Sequence, residues 1–378
     1  MLEKLNEFAL KHKIKWGADK CKVMRIGKHK EKRKEWKIGD MPITETSEYK
    51  YLGDWITDDG KNKLNIEMRR KKLQTTTIMI NTIASYEVLN QIETAVLLHL
   101  HECKSISGFL TNSESWNLNK GEVESLERAE IQAVKQLFNL PIHTPTIAIL
   151  HTFGLLYTKQ RVDKRQLIYL HRILIREDAD STKKAIMTLK TLNNGWTKKI
   201  LNVLESHQLP TDFNEIKNIS INEWRRKVEN AIEKTNKERL LEDCHKKQAG
   251  VMTPKTKTAS LIEKIKDPAY KRSPEHEIQK MTKLEAKTLI IARYGMLECG
   301  KNFGGTHGGE CSECNTYDDE KHRLNDCKKW KELNYLGEDE KVDFELVHSR
   351  DICILRNLFG KLNKVWNTKN TPGFMNST

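Results

Sequence analysis

The residues best suited to chemistry lie between Cys311 and Cys327. Cys311-Ser-Glu-Cys314 is followed after seven residues by His322, and after four more by Cys327. Two cysteines separated by two residues form a turn that aims both sulfurs at one ion. A histidine and a third cysteine from a following element can close a tetrahedron, a donor set that suits Zn²⁺ at Zn–S distances of ~2.3 Å. Four protein ligands leave no position for water, so such a site is structural rather than catalytic. The competing reading is four unrelated loop residues. A redox pair fits less well, since it would need neither His322 nor Cys327.

Other enzyme signals are weak. Gly304-Gly-Thr-His-Gly-Gly309 has no Gly-Lys-Ser/Thr after it and is not a phosphate-binding loop of that type. There is no Gly-x-Ser-x-Gly elbow and no His-Glu-x-x-His. Asp58-Asp59 resembles the carboxylate pair of a two-metal nucleotidyl transferase. The pair precedes Gly60 at the end of a strand, however, where ordinary turn chemistry explains it. Asp318-Asp319 reads as a solvated loop tip.

The elements that would carry these residues belong to a chain of 378 residues, enough for two or three domains. Its net charge of +14 points to a polyanionic partner, nucleic acid first and an anionic membrane surface second. No apolar run is long enough to span a bilayer, and the first residues lack the apolar core of a signal peptide. Cysteines outside the cluster are scattered, which fits a reducing compartment. Cys21, Cys103, Cys244, Cys299 and Cys353 are expected as free thiols, several of them buried. The expected location is intracellular, nuclear or cytoplasmic.

Residues 2–13 read as a helix. Strands are expected at 22–26, 35–38, 41–44 and 48–57, with a hairpin at Gly39-Asp40. From Lys61 the pattern is helical. Leu64, Met68 and Ile83 mark 61–83; Leu89, Ile92, Val96, Leu100, Cys103 and Ile106 mark 88–106; Val123, Leu126, Ala129, Ala133 and Leu137 mark 120–138. Further helices are expected near 156–176, 195–207, 221–246 and 281–295, with linkers at 253–257 and 267–274. Residues 351–366 form an amphipathic helix carrying Leu355, Leu358, Phe359, Leu362 and Trp366. The fold class is mainly α with a small N-terminal antiparallel β segment. Basic runs occupy Lys28–Lys37 and a helix bearing Arg69, Arg70, Lys71 and Lys72. Near the cluster, Arg323, Lys328 and Lys329 offer phosphate contacts, and Trp330 a stacking surface.

The order of parts resembles the C-terminal portion of reverse transcriptases from non-LTR (LINE-type) retrotransposons. The residues that carry this are Trp16-Gly-Ala-Asp-Lys20-Cys-Lys-Val-Met24, Tyr49-Lys-Tyr51-Leu52-Gly53, Ile56-Thr-Asp-Asp-Gly60, Ser113-Glu-Ser-Trp116-Asn-Leu, Leu126-Glu-Arg-Ala-Glu130 and the late cysteine–histidine cluster. The resemblance covers residues 1–175 and 281–334. It implies a palm remnant and primer-grip hairpin over 1–60, a helical thumb over 61–140 and a zinc knuckle over 300–334; the residue pattern itself divides the rest into a helical linker region over 141–299 and a terminal amphipathic helix and tail over 335–378. Lys20 would match the lysine of the last palm motif, and Tyr51, Leu52 and Gly53 the primer grip. Cys311, Cys314, His322 and Cys327 would match the knuckle that contacts nucleic acid.

The family's catalytic aspartates lie upstream of the motif that begins here at Trp16. The expectation is a truncated product that binds RNA or DNA, carries structural Zn²⁺, and takes Mg²⁺ only if the missing palm is supplied. No small-molecule substrate, no membrane partner and no polymerase activity are expected of this chain alone. One rival is a longer, active RNA-directed DNA polymerase of which this is a fragment. Another is a domesticated zinc-knuckle protein whose 351–366 helix docks on a partner. The N-terminal strands, with open edges, are expected to be less well ordered than the helical middle.

Overall fold

The computed structural model describes residues 1–17, 19–27, 35–84, 92–249, 255–267, 270, 272–294, 309–311, 313–328 and 343–366. Lys329, Trp330, Cys299 and most of the basic run 28–37 lie outside the described residues. The molecule is mainly helical, with a few short strands near the N-terminus.

The first helix, α1 (Leu2–Lys11), packs on β2 (Trp36–Ile38). β2 and β3 (Met41–Glu45) form the expected hairpin, with Trp36 opposite Ile43 and Ile38 opposite Met41. Ile38 and Ile43 are buried while Lys37 and Pro42 face out, the alternation of a one-sided sheet. Gly39 turns the hairpin at φ +56°, and a Cβ there would come within 2.9 Å of the Asn6 side chain. β1 is shorter than expected, only Lys22–Val23, and it runs parallel to β3. The sheet is therefore mixed, not purely antiparallel. Strand pairing beyond Val23 gives way to an ion pair between Arg25 and Glu45 at 2.8 Å.

The single strand expected over 48–57 is instead a hairpin of β4 (Glu48–Tyr51) and β5 (Asp54–Thr57). Leu52 and Gly53 both take positive φ, +47° and +95°. Two successive left-handed residues give the turn whose twist matches the flanking strands. Leu at the first of them hides the turn from a residue-by-residue reading.

Helix α2 (Lys63–Ala84) buries Ile66, Leu73 and Ile80, spaced seven apart, against α4 (Lys120–Leu137) and the segment before it. Leu64 and Met68 are only half-buried and Ile83 is exposed, so the expected apolar face was misplaced by part of a turn. Between them, α3 (Thr94–Leu100) runs on into a π-helical turn, His101–Ile106, and a short α turn, Ser107–Phe109. The wider turn shifts the helical phase. Before the turn Val96 already faces solvent and Leu97 the core; after it begins, Cys103 faces solvent while His101, Phe109 and Leu110 go inside. The start of α4 carries a capping box, Asn119 and Glu122 accepting each other's backbone N–H.

After α4 ends at Leu137, Pro145 takes the N-cap position of a short helix, α5 (Thr146–Thr152). Then come α6 (Thr158–Leu174), α7 (Ser181–Thr191), α8 (Gly195–Ser206), α9 (Phe213–Asn218) and the long α10 (Ile221–Ala249). Helices α6 to α10 close on the fully buried Trp224, whose indole N–H donates to the Leu167 carbonyl at 2.9 Å. A larger core joins Ile80, Leu137, Ile149, Leu240 and Cys244 to α11 (Lys255–Lys266), α12 (His276–Gln279), α13 (Lys283–Arg293) and α14 (Ile352–Trp366).

Three expectations change here. The 253–257 linker is partly helix, since α11 begins at Lys255. The irregular segment before α12 is fixed to the core: Arg272 is held by Glu233 and the Gly154 carbonyl, and a Cβ on Gly154 would meet the Ser273 backbone at 2.3 Å. Of the expected free thiols that are described, only Cys244 is buried; Cys103 and Cys353 are exposed and Cys21 is half-buried.

Candidate metal centre

The loop that carries the cysteines is built on backbone turns. Gly309, at φ +90°, accepts a hydrogen bond from the Asp318 amide at 2.8 Å, and Cys311 N–H donates to the Thr316 carbonyl at 2.8 Å. The Cys311 carbonyl then accepts from Cys314 N–H at 3.3 Å and Asn315 N–H at 2.9 Å, with Asn315 left-handed at φ +52°. This tight loop turns both sulfurs inward. Asp319 caps the next element by accepting the His322 amide at 2.7 Å, and the π-helical turn His322–Asp326 delivers Cys327.

The ligand atoms of Cys311, Cys314, His322 and Cys327 all lie within 4.8 Å of one another. Cys327 Sγ is 3.8 Å from Cys311 Sγ and 3.9 Å from Cys314 Sγ. Those are the separations a metal ion demands: the edge of a tetrahedron with Zn–S of ~2.3 Å is about 3.8 Å. His322 is buried, and its Nε2 has no hydrogen-bond partner among the described residues. Its Nδ1 lies 3.2 Å from Thr316 Oγ1. With Nδ1 held by the hydroxyl, Nε2 is the atom that faces the sulfurs as a ligand, and a buried orphan nitrogen there is otherwise a cost. Lys328 N–H donates to Cys314 Sγ at 3.3 Å, which offsets part of a thiolate's charge. The donor set fits zinc in a closed, structural site.

The acidic residues around the cluster are not a solvated tip. Asp318 is buried and holds Arg323 through two contacts of 2.8 Å each. Glu320 is also buried. Asp319 was legible as a helix cap from its place three residues before His322. Thr316 carried no such signal.

The expected nucleic-acid contacts fall into two groups. Arg69 is 4 % exposed, donates to Asp54 at 2.6 Å and the Gly108 carbonyl at 3.1 Å, and lies over the Trp116 ring. It ties the β4–β5 hairpin to the helices and has no free face for a phosphate. Arg323 is likewise engaged with Asp318. Arg70, Lys71 and Lys72 are exposed on α2; Lys71 shares a surface pair with Glu67 at 2.7 Å. Lys20 and Lys328 are exposed. Tyr51, Leu52 and Gly53 form an exposed tip, anchored where Asn112 donates to the Leu52 carbonyl at 3.1 Å and to Asp54 at 2.8 Å. The hairpin packs on α2, whereas the His322–Asp326 turn packs on α14.

Asp58-Asp59 behaves as a turn. Asp59 accepts from the Thr57 hydroxyl at 2.7 Å and the Lys61 amide at 3.0 Å, and these bonds hold its carboxyl below the usual range.

Fold and site together define a mainly helical protein with a small mixed sheet and a Cys₃His cluster suited to a metal ion. Among the described residues no helix is long and apolar enough to cross a membrane. No family model, no curated protein and no solved structure matches the chain.

Proposed function

We propose that this chain binds RNA or DNA through phosphate contacts, as the thumb-to-knuckle portion of a non-LTR-type reverse transcriptase would, with Zn²⁺ holding the C-terminal knuckle. The observation that carries the reading is the convergence of Cys311, Cys314, His322 and Cys327, at the end of a chain whose earlier motifs occur in the order of that family. The exposed cations of α2 and the net charge of +14 support a polyanionic partner. The exposed Tyr51-Leu52 tip, fixed from behind by Asn112, suits a surface that positions a strand end.

The Asp58-Asp59 pair gives this chain no nucleotidyl-transfer site, because Asp59 is engaged in its own turn. Mg²⁺ chemistry would need carboxylates from elsewhere. A partner-docking role for the last helix is disfavoured, because Leu355, Leu358 and Leu362 already lie in the main core.

The test is affinity for a labelled single-stranded RNA across a salt series. Release of counterions from three or more phosphates gives log K against log salt a slope of about −2 or steeper. Absence of binding at low salt, or binding indifferent to salt, would overturn the reading.

A further inference from the structure

A cleft of about 540 Å³ opens between α3 with its π-helical turn, α6, and the segment that leads into α12. No sequence motif marks it. Four cations line it: Arg161, Lys164 and Arg165 from α6, and Arg272 from the segment before α12. Among the described residues, Glu102 is the one carboxylate in its lining. The floor is aliphatic, with Leu98, Ile106 and Leu155.

Three of the cations are braced. Arg161 is gripped by Glu102 at 2.6 Å and by the buried Glu130 at 3.2 Å. Lys164 pairs with Glu229 at 2.8 Å, and Arg272 with Glu233 at 2.6 Å. Those pairs hold the three side chains in place along the cleft and offset much of their charge, so they line the walls rather than stand free. Arg165 differs. It is half-buried, it donates to the Leu110 carbonyl at 2.6 Å, and among the described residues it has no ion-pair partner. Burial pulls its pKa below the usual range, against the opposing pull of Glu114 and Glu102.

We infer that this cleft receives the sugar–phosphate backbone of a single nucleic-acid strand, with Arg165 as the cation that a phosphate completes and the aliphatic floor against the sugar. The space exceeds what one phosphate group fills. Cations arriving from two separate segments suit an extended polyanion rather than a lone ion. A fixed fork of donors is the geometry with which arginine holds phosphate. The inference rests on the nucleic-acid reading above and names where the strand lies.

The experiment measures binding of the full chain to the same labelled single-stranded RNA over a salt series, for the unaltered protein, Arg165→Gln, and Lys184→Gln on the exposed face of α7. Loss of one phosphate contact on a single strand lowers the salt slope by about 0.7. Arg165→Gln is expected to show that drop and weaker binding at low salt, with Lys184→Gln unchanged. Binding by Arg165→Gln equal to that of the unaltered protein overturns the cleft and leaves the nucleic-acid reading standing. No binding by the unaltered, folded protein overturns both. Should Arg165→Gln lose its helical circular dichroism, Lys164→Gln at the rim carries the comparison, with the same expected drop and the same refuting result.

Discussion

Replacing Cys314 by Ser is the most direct challenge to the metal centre. Cys314 Sγ stands 3.9 Å from Cys327 Sγ and accepts the Lys328 amide, so its loss removes one corner of the tetrahedron and one brace of the loop. The groups buried around it are mainly polar: Asp318, Glu320 and His322 beside Cys327. A loop with so little apolar surface does not hold itself together by burial. A metal present at a thousand times its dissociation constant stabilises the state that binds it by about 4 kcal/mol, a term large enough to order a loop of this size once an ion is bound to Cys311, Cys314, His322 and Cys327. The rest of the molecule has its own cores around Trp224 and around Ile149 and Leu289. The damage should therefore be local. Purified protein is expected to carry one zinc ion per chain by elemental analysis, and Cys314→Ser well below that. Cobalt loading should give the thiolate charge-transfer bands of a three-sulfur tetrahedral site in the unaltered protein, weakened in the variant. Hydrogen exchange should speed up across 309–328 and stay unchanged across 120–246. A chain that takes up neither metal, or a variant that binds zinc as well as its parent, would refute the geometric argument.

Thr316→Val removes the hydroxyl beside His322 Nδ1. Zinc affinity should fall roughly 10- to 100-fold, as losses of such outer partners do; a chelator competition that shows no change would remove Thr316 from the site. Arg69→Ala strips the buried partner of Asp54 and should cost about 3 kcal/mol in urea unfolding, with Lys71→Ala near zero by the same measurement because its pair with Glu67 is exposed. His101 is buried, neither of its ring nitrogens has a hydrogen-bond partner among the described residues, and burial pulls its pKa down to about 3; His151 falls to about 4 for the same reason. Below the ordinary pKa of 6.5 the unfolded chain binds protons that the folded one refuses, so stability should decline as pH falls from about 6.5 toward 4 and 3. At ~1.4 kcal/mol per unit, each histidine contributes several kcal/mol to that decline. His101→Leu should flatten the acid limb of a stability–pH curve, and an unchanged limb would contradict the cause given. Leu358→Ala in α14 should cost about 2–5 kcal/mol as a core cavity, whereas a helix that served only an outside partner would tolerate it.

Much of this was legible from residues whose meaning is local. The Cys-x-x-Cys pair with His322 and Cys327 announced the ligand set because a tetrahedral ion needs those donors at close spacing. Gly39-Asp40 announced a hairpin, and the Val123, Leu126, Ala129, Ala133 and Leu137 spacing announced α4. The 48–57 segment misled because Leu52 occupies a left-handed position where Gly or Asn is usual. Helix α3 misled because its π-helical turn shifts the phase that a 3.6-residue period assumes. On α2 the dense cations hid the Ile66, Leu73 and Ile80 row.

The sequence by itself determined the helical character of the chain, the identity of the four metal-ligand candidates and the excess of positive charge, since each depends on residue type and short spacing. Only the tertiary structure decided which cations are available. Arg69 and Arg323 look like phosphate contacts in the chain and are engaged with Asp54 and Asp318 in the fold. Arg165, unremarkable in sequence, is left with a carbonyl and an open cleft. The physical reason is that a charge acts through its neighbours in space: Arg69 meets Asp54 and the Gly108 carbonyl, and Arg165 the Leu110 carbonyl, only because the chain folds back, and even Asp318 reaches nearby Arg323 only through the turn between them.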